Sequence, residues 1–126
     1  MARSFNTEIF KGTANATADV YSSSNFFELL GRADDLVIQV IVESSTGSPS
    51  YLKIYYQISN DGAEGTFKDC STLSSITSPV AGNMDIFYPL GSNPNGAFGR
   101  IRVDHSGVAQ GTAAIRVIAC GRTRGS

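Results

Sequence analysis

Three arginines carry the strongest chemical signal in this chain of 126 residues. Arg100 and Arg102 alternate along GRIRVD, and Arg116 stands in TAAIRVIAC. Side chains switch faces at every residue of a strand, so Arg100 and Arg102 share a face. A hairpin closed between Asp104 and Thr112 would set Arg100 opposite Arg116, with Arg102 diagonal to it. Like charges across a strand pair repel, so such a cluster needs an anion nearby. Two sources fit. One is an internal carboxylate from Glu28, Asp34 or Asp35. The other is an acidic patch on a partner, gripped bidentately by the planar guanidinium fork. Arg122 and Arg124 stand in GRTRGS, residues 121–126, which has no apolar side chain and reads as a polar tail docking on another chain.

The other reactive side chains are placed less favourably. Asp104, His105 and Ser106 are adjacent in sequence, and a catalytic triad needs groups delivered by separate elements. His105, the one histidine, therefore reads as a solvated loop residue. Asp34, Asp35 and Asp61 sit in turn-like stretches, where Asp serves as a backbone acceptor. No loop offers the roughly six oxygens that calcium takes, and no glycine-rich loop opens a helix to cradle phosphate. No metal, no cofactor and no catalysis are expected. Cys70 and Cys120 read as reduced thiols, with a disulfide between them as the alternative if their strands are neighbours, and Cys120 packs beside Ile118 as a small hydrophobe. Tyr51 and Tyr55 alternate onto the polar side of their strand. They would stack on a sugar or pack under a loop or a second subunit.

The element that must position these groups is the stretch 36–62. Leu36, Ile38, Val40 and Val42 share one side of its first run, opposite Val37, Gln39, Ile41 and Glu43. Leu52, Ile54, Tyr56 and Ile58 share one side of its second run. This is the period of half-buried strands. Gly47 and Pro49 break the ladder between them, so the stretch reads as a long central hairpin. The turn Ser59-Asn60-Asp61-Gly62 follows, since Asn, Asp and Gly tolerate positive φ. Further strands are expected over 4–12, 21–30, 67–73, 84–90, 99–104 and 113–119. About eight short strands with turns between them predict an all-β, antiparallel, jelly-roll-like sandwich of one domain. The inward set includes Ile38, Val40, Ile54, Tyr56, Ile101, Val103, Ile115 and Val117. No helix is expected.

Composition narrows the classes of function. A net charge of −1 gives no bulk attraction to nucleic acid or to an anionic membrane. No apolar run reaches the roughly 18 residues of a membrane span, and the opening residues lack the apolar core of a signal peptide. Charged residues are 17%, below the usual quarter, which suits a surface partly covered by other subunits.

The order YLKIYYQISNDG, GRIRVDHSG and TAAIRVIACGR resembles small β-sandwich proteins of tailed-phage structural modules. The matching residues are Ser59, Asp61, Gly62 and Phe67, then Arg100, Arg102 and Val103. Glu64, Gly65 and Thr66 interrupt the pattern before Phe67. The resemblance implies a virion accessory or capsid-decorating protein, assembled in the host cytoplasm, that binds coat protein. The low surface charge together with the polar ends predicts a homo-oligomer, with a trimer as the expected form, whose contacts use the N-terminal segment and the tail. Arg100, Arg102, Arg116, Arg122, Arg124, Tyr51 and Tyr55 would face the partner. The strand order also resembles discoidin-like carbohydrate-binding sandwiches, which implies a lectin-like module as the alternative. The chain has no Trp, the largest flat platform for a sugar, and this favours the structural reading.

Overall fold

The computed structural model of the chain describes residues 3–14, 17–88, 98–108 and 111–123. Eight strands are described: β1 (Arg3–Ala14), β2 (Val20–Tyr21), β3 (Ala33–Gly47), β4 (Tyr51–Ser59), β5 (Lys68–Thr77), β6 (Met84–Phe87), β7 (Phe98–Val103) and β8 (Gly111–Thr123). They form two four-stranded antiparallel sheets, in the orders β1-β8-β3-β6 and β2-β7-β4-β5. Facing sheets with these interleaved orders make the jelly-roll sandwich that the alternating runs predict. Ile38, Val40, Ile54, Tyr56, Ile101, Val103, Ile115 and Val117 are all buried between the layers. The expected inward register of both pairs of runs is therefore the register observed.

The two expected hairpins are not hairpins. β3 and β4 lie in different sheets, as do β7 and β8. Among the described strands, β4 and β5 are the one sequential pair that lies side by side, joined through the predicted turn at 59–62. The reason is geometric. A chain that arches from one layer to the other buries alternate residues just as a hairpin does, so periodicity alone does not separate them. What makes the arch is the link 48–50. Gly47 takes φ +68, Pro49 is buried, and the Ser50 amide donates to the Gly107 carbonyl at 2.9 Å.

Two further expectations are corrected. The run 21–30 is not a strand beyond Tyr21. It forms a 3₁₀ turn (Ser24–Phe26) and then a short helix, α1 (Phe27–Gly31). Ser23 starts it by accepting from the Asn25 amide at 3.1 Å, the competition with the ladder that Ser side chains offer. Leu30 is buried beneath it and accepts the Tyr56 hydroxyl at 3.0 Å. The polar tail is likewise shorter than expected. Residues 121–123 continue β8, where Thr123 is paired with both Arg3 and Ala33. Backbone hydrogen bonds to two flanking strands order this segment without apolar side chains. Arg124 lies outside the described residues.

Candidate interaction site

The outer face of the β2-β7-β4-β5 sheet collects most of the charged chemistry. Cross-strand register sets Arg102 beside Tyr21 and Tyr55, and Arg100 beside Gln57, which in turn neighbours Asp69. Arg100 is 4% exposed. Its guanidinium lies between the rings of Tyr21 and Phe67, at 4.0 and 4.2 Å from their centroids. Its Nε donates to Gln57 Oε1 at 2.7 Å and its Nη1 to Glu64 Oε2 at 2.8 Å. Gln57 Nε2 in turn donates to Asp69 Oδ1 at 2.8 Å. The loop after β4, where Glu64 and Phe67 stand, thus folds back over the sheet and closes on Arg100.

Arg102 is neutralised twice. Its Nε and Nη2 grip Asp69 at 3.2 and 2.9 Å, its Nη1 reaches Asp19 Oδ2 at 2.9 Å, and its plane covers the Tyr55 ring at 4.1 Å. Burial works against the charge of Arg102, but the Asp69 and Asp19 carboxylates outweigh it and raise its pKa above the ordinary value. Asp19 shows the converse. Burial pushes its carboxyl up, and hydrogen bonds from the His105 side chain and amide and from Arg102 bring it below the usual range.

The other expected arginines lie elsewhere. Arg116 is on the outer face of the other sheet, where its Nε donates to Glu8 Oε1 at 2.6 Å. Arg122, at the end of β8, is exposed, in register with Ser4 and Asp34. Arg100 and Arg116 are therefore not cross-strand neighbours, and the expected three-arginine cluster does not form. Internal anions are present, but they are Glu64, Asp69, Asp19 and Glu8 rather than Glu28, Asp34 or Asp35. Tyr51 donates to Ser106 Oγ at 3.1 Å and carries the Lys53 ammonium 4.9 Å from its ring centroid.

The Asp-His-Ser string is divided between two directions. Ser106 donates to Asp104 Oδ1 at 2.6 Å, while His105 turns to Asp19. The serine proton is thus directed at Asp104 and not at the imidazole, so no nucleophile–base pair is formed here. Asp19, Asp104 and His105 bring potential metal-ligand atoms within 4.8 Å of one another. A cation there would compete with the Arg102 guanidinium for Asp19 and with the Ser106 amide and hydroxyl for Asp104. As they stand, these groups clasp the 104–106 loop to Asp19. Asp19 lies too far from Arg102 and His105 along the chain for its role to be legible in the sequence.

The other outer face is different in kind. Val37, Ile41, Met84, Ile86, Ile118 and Cys120 project from neighbouring strands, with Gln39 among them and Arg116, paired with Glu8, beside Ile41. Its sequence signal is LVIQVIVE, which is apolar on both sides of the strand rather than on one.

No family model matches the sequence, and no curated protein matches it. Two solved structures are similar to this chain at low identity. One, described as "Bacillus endospore appendages form a novel family of disulfide-linked pili", matches over 99% of this chain and 89% of that one, at 15% identity and a TM-score of 0.50. The crystal structure of PirA matches over 94% of this chain and 92% of that one, at 13% identity and a TM-score of 0.48. Identities this low speak to the fold alone.

Proposed function

We propose that this chain is a non-enzymatic structural protein that associates with copies of itself and docks on a larger particle, the coat lattice of a virion. The observation that carries this reading is the distribution of unsatisfied surface. On one sheet the outward charges are spent on one another. On the other, large apolar side chains stand in solvent along β6, with Met84 57% and Ile86 50% exposed. A contiguous apolar patch on a soluble chain is where another protein packs. The endospore-appendage protein, described as forming pili, is a precedent for this architecture in a self-associating role. The phage resemblance supplies the virion, and with it assembly in the host cytoplasm. The lectin-like alternative gains no support from Tyr51 or Tyr55, since each ring already carries a cation over one face.

Two measurements on the full chain test the reading. Sedimentation should give a mass above that of one chain, and the protein should co-sediment with particles and dissociate from them in a saturable way. A single-chain mass at every concentration, together with no binding to particles, would overturn it.

A further inference from the structure

We infer that the outer face of the β1-β8-β3-β6 sheet is an interface between two copies of this chain, which pack sheet on sheet. The inference rests on the self-association proposed above and names the surface and the partner. Register fixes the layout of that face. One cross-strand row runs Glu8, Ile118, Gln39, Ile86, and the next runs Lys11, Arg116, Ile41, Met84. Val37 and Cys120 extend the apolar area beyond the first row. A single antiparallel layer facing water should alternate apolar-in and polar-out. Here the outward positions include Ile118 and Ile86 on either side of Gln39 in one row, and Ile41 and Met84 beside Arg116 in the next.

Three features select a second copy as the occupant. First, Arg116 on this face is already paired with Glu8, and the uncharged polar group beside it is the Gln39 amide, whose described partner is the Met84 thioether at 3.6 Å. An amide is both donor and acceptor, so it satisfies an identical amide across a two-fold axis. Second, the charges around the patch are balanced. Glu8 and Glu43 stand with Lys11 and Arg116, so two identical faces meet without net repulsion. Third, the size fits. β1, β8 and β3 run side by side for about ten residues, roughly 14 by 33 Å, with the four residues of β6 added at their edge, the same order as the ~800 Å² per partner in a standard interface.

The contact is made by side chains and not by adding strand to strand. The Ile86 amide donates to its neighbour's carboxylate, Asp85 Oδ1, at 2.9 Å, and Ser74 donates to Asp85 Oδ2 at 2.8 Å. Asp85 thereby occupies a donor of the β6 edge. At the opposite edge, β1 carries a register shift between Glu8 and Phe10 and the exposed Lys11. Both devices discourage edge pairing and leave the flat face as the route.

The test is sedimentation of the full chain over a wide range of concentration, with Ile86→Arg and Met84→Glu on this face and Lys53→Glu on the other sheet as a control. Each face variant should weaken association by roughly tenfold or more, as burying an unpaired charge requires. Lys53→Glu should leave association unchanged. Alkylation of Cys120, followed by peptide mass, gives a readout without substitution. It should slow as the wild-type protein is concentrated, while alkylation of Cys70, on the other sheet, keeps its rate. If the wild type assembles while Ile86→Arg assembles equally well and Cys120 reacts at one rate throughout, the face is wrong and self-association stands. A wild type that stays a single chain at every concentration overturns both. If a face variant fails to fold, the Cys120 rates decide.

Discussion

The Tyr56 hydroxyl fills the space that a side chain on Gly99 would need. Tyr56 lies on β4 and Gly99 on β7, and a Cβ at position 99 would meet both the hydroxyl and the Leu30 side chain. The hydroxyl donates to the Leu30 carbonyl at 3.0 Å, so this contact ties α1 to the middle of a sheet. Gly99→Ala should destabilise the fold by about 1–3 kcal/mol, the range for overpacking a filled core. Tyr56→Phe should cost about 0.5–1.5 kcal/mol for the lost hydrogen bond. Because the two changes act on the same atoms, the double variant should be less destabilised than the separate losses added together. Urea unfolding of the four proteins completes the cycle, and strict additivity would contradict the contact.

Arg100 should matter far more than its carboxylate. It is held by two aromatic faces and by Gln57, whereas the Glu64 side chain is 77% exposed. Arg100→Lys loses the planar stack and the fixed Nε donor and should cost about 1–3 kcal/mol. Glu64→Gln should change stability much less, since an ion pair with one partner in water is screened. Equal losses in thermal unfolding would show that the pair, and not the stack, closes the loop on the sheet.

Acid should unfasten the clasp around Asp19. Its carboxyl is lowered from the ordinary 3.8 by His105 and Arg102 against the effect of burial. A carboxylate depressed in the folded state stabilises the protein above its unfolded pKa, and this stability is lost as pH falls through the folded value. Asp104 is lowered too, with Ser106 outweighing burial, and Asp61 is lowered chiefly by Thr66, so both act with the same sign. Asp19→Asn should therefore be less stable than wild type at neutral pH, and the gap should narrow as pH drops below the ordinary carboxylate value. Unfolding midpoints for the two proteins across that range check it. A gap independent of pH would place the loss in packing instead.

The turn after β4 gives a local test. Ser59 Oγ accepts from the Gly62 amide at 3.0 Å, and Gly62 takes φ +74 with the Phe98 ring against it. Gly62→Ala should cost about 1–2 kcal/mol, since an L side chain at positive φ is strained. Gly65→Ala, where a Cβ meets nothing within 4 Å, should be nearly neutral. Equal unfolding midpoints for the two variants would refute the turn geometry.

The alternating runs by themselves determined which apolar side chains face the core and that the fold is all-β, but not that Arg100 and Gln57, on the outward side, are buried as well. Burial on one face of a strand is a local property, written at every second residue of 36–42 and 113–119. The turn at 59–62 was legible for the same reason, because its φ requirements are met within four residues. Tertiary structure alone decided which strands are neighbours. β3 pairs with β8 and β6, and β7 with β4 and β2, and an arch between layers leaves the same alternation in the chain as a hairpin within one. The arginine partners follow from that choice. Asp19 meets Arg102 and His105 because β2 lies beside β7, and Arg116 meets Glu8 because β8 lies beside β1. Charge pairing acts through space, and its range along the chain is set by the strand order that buries the most apolar surface.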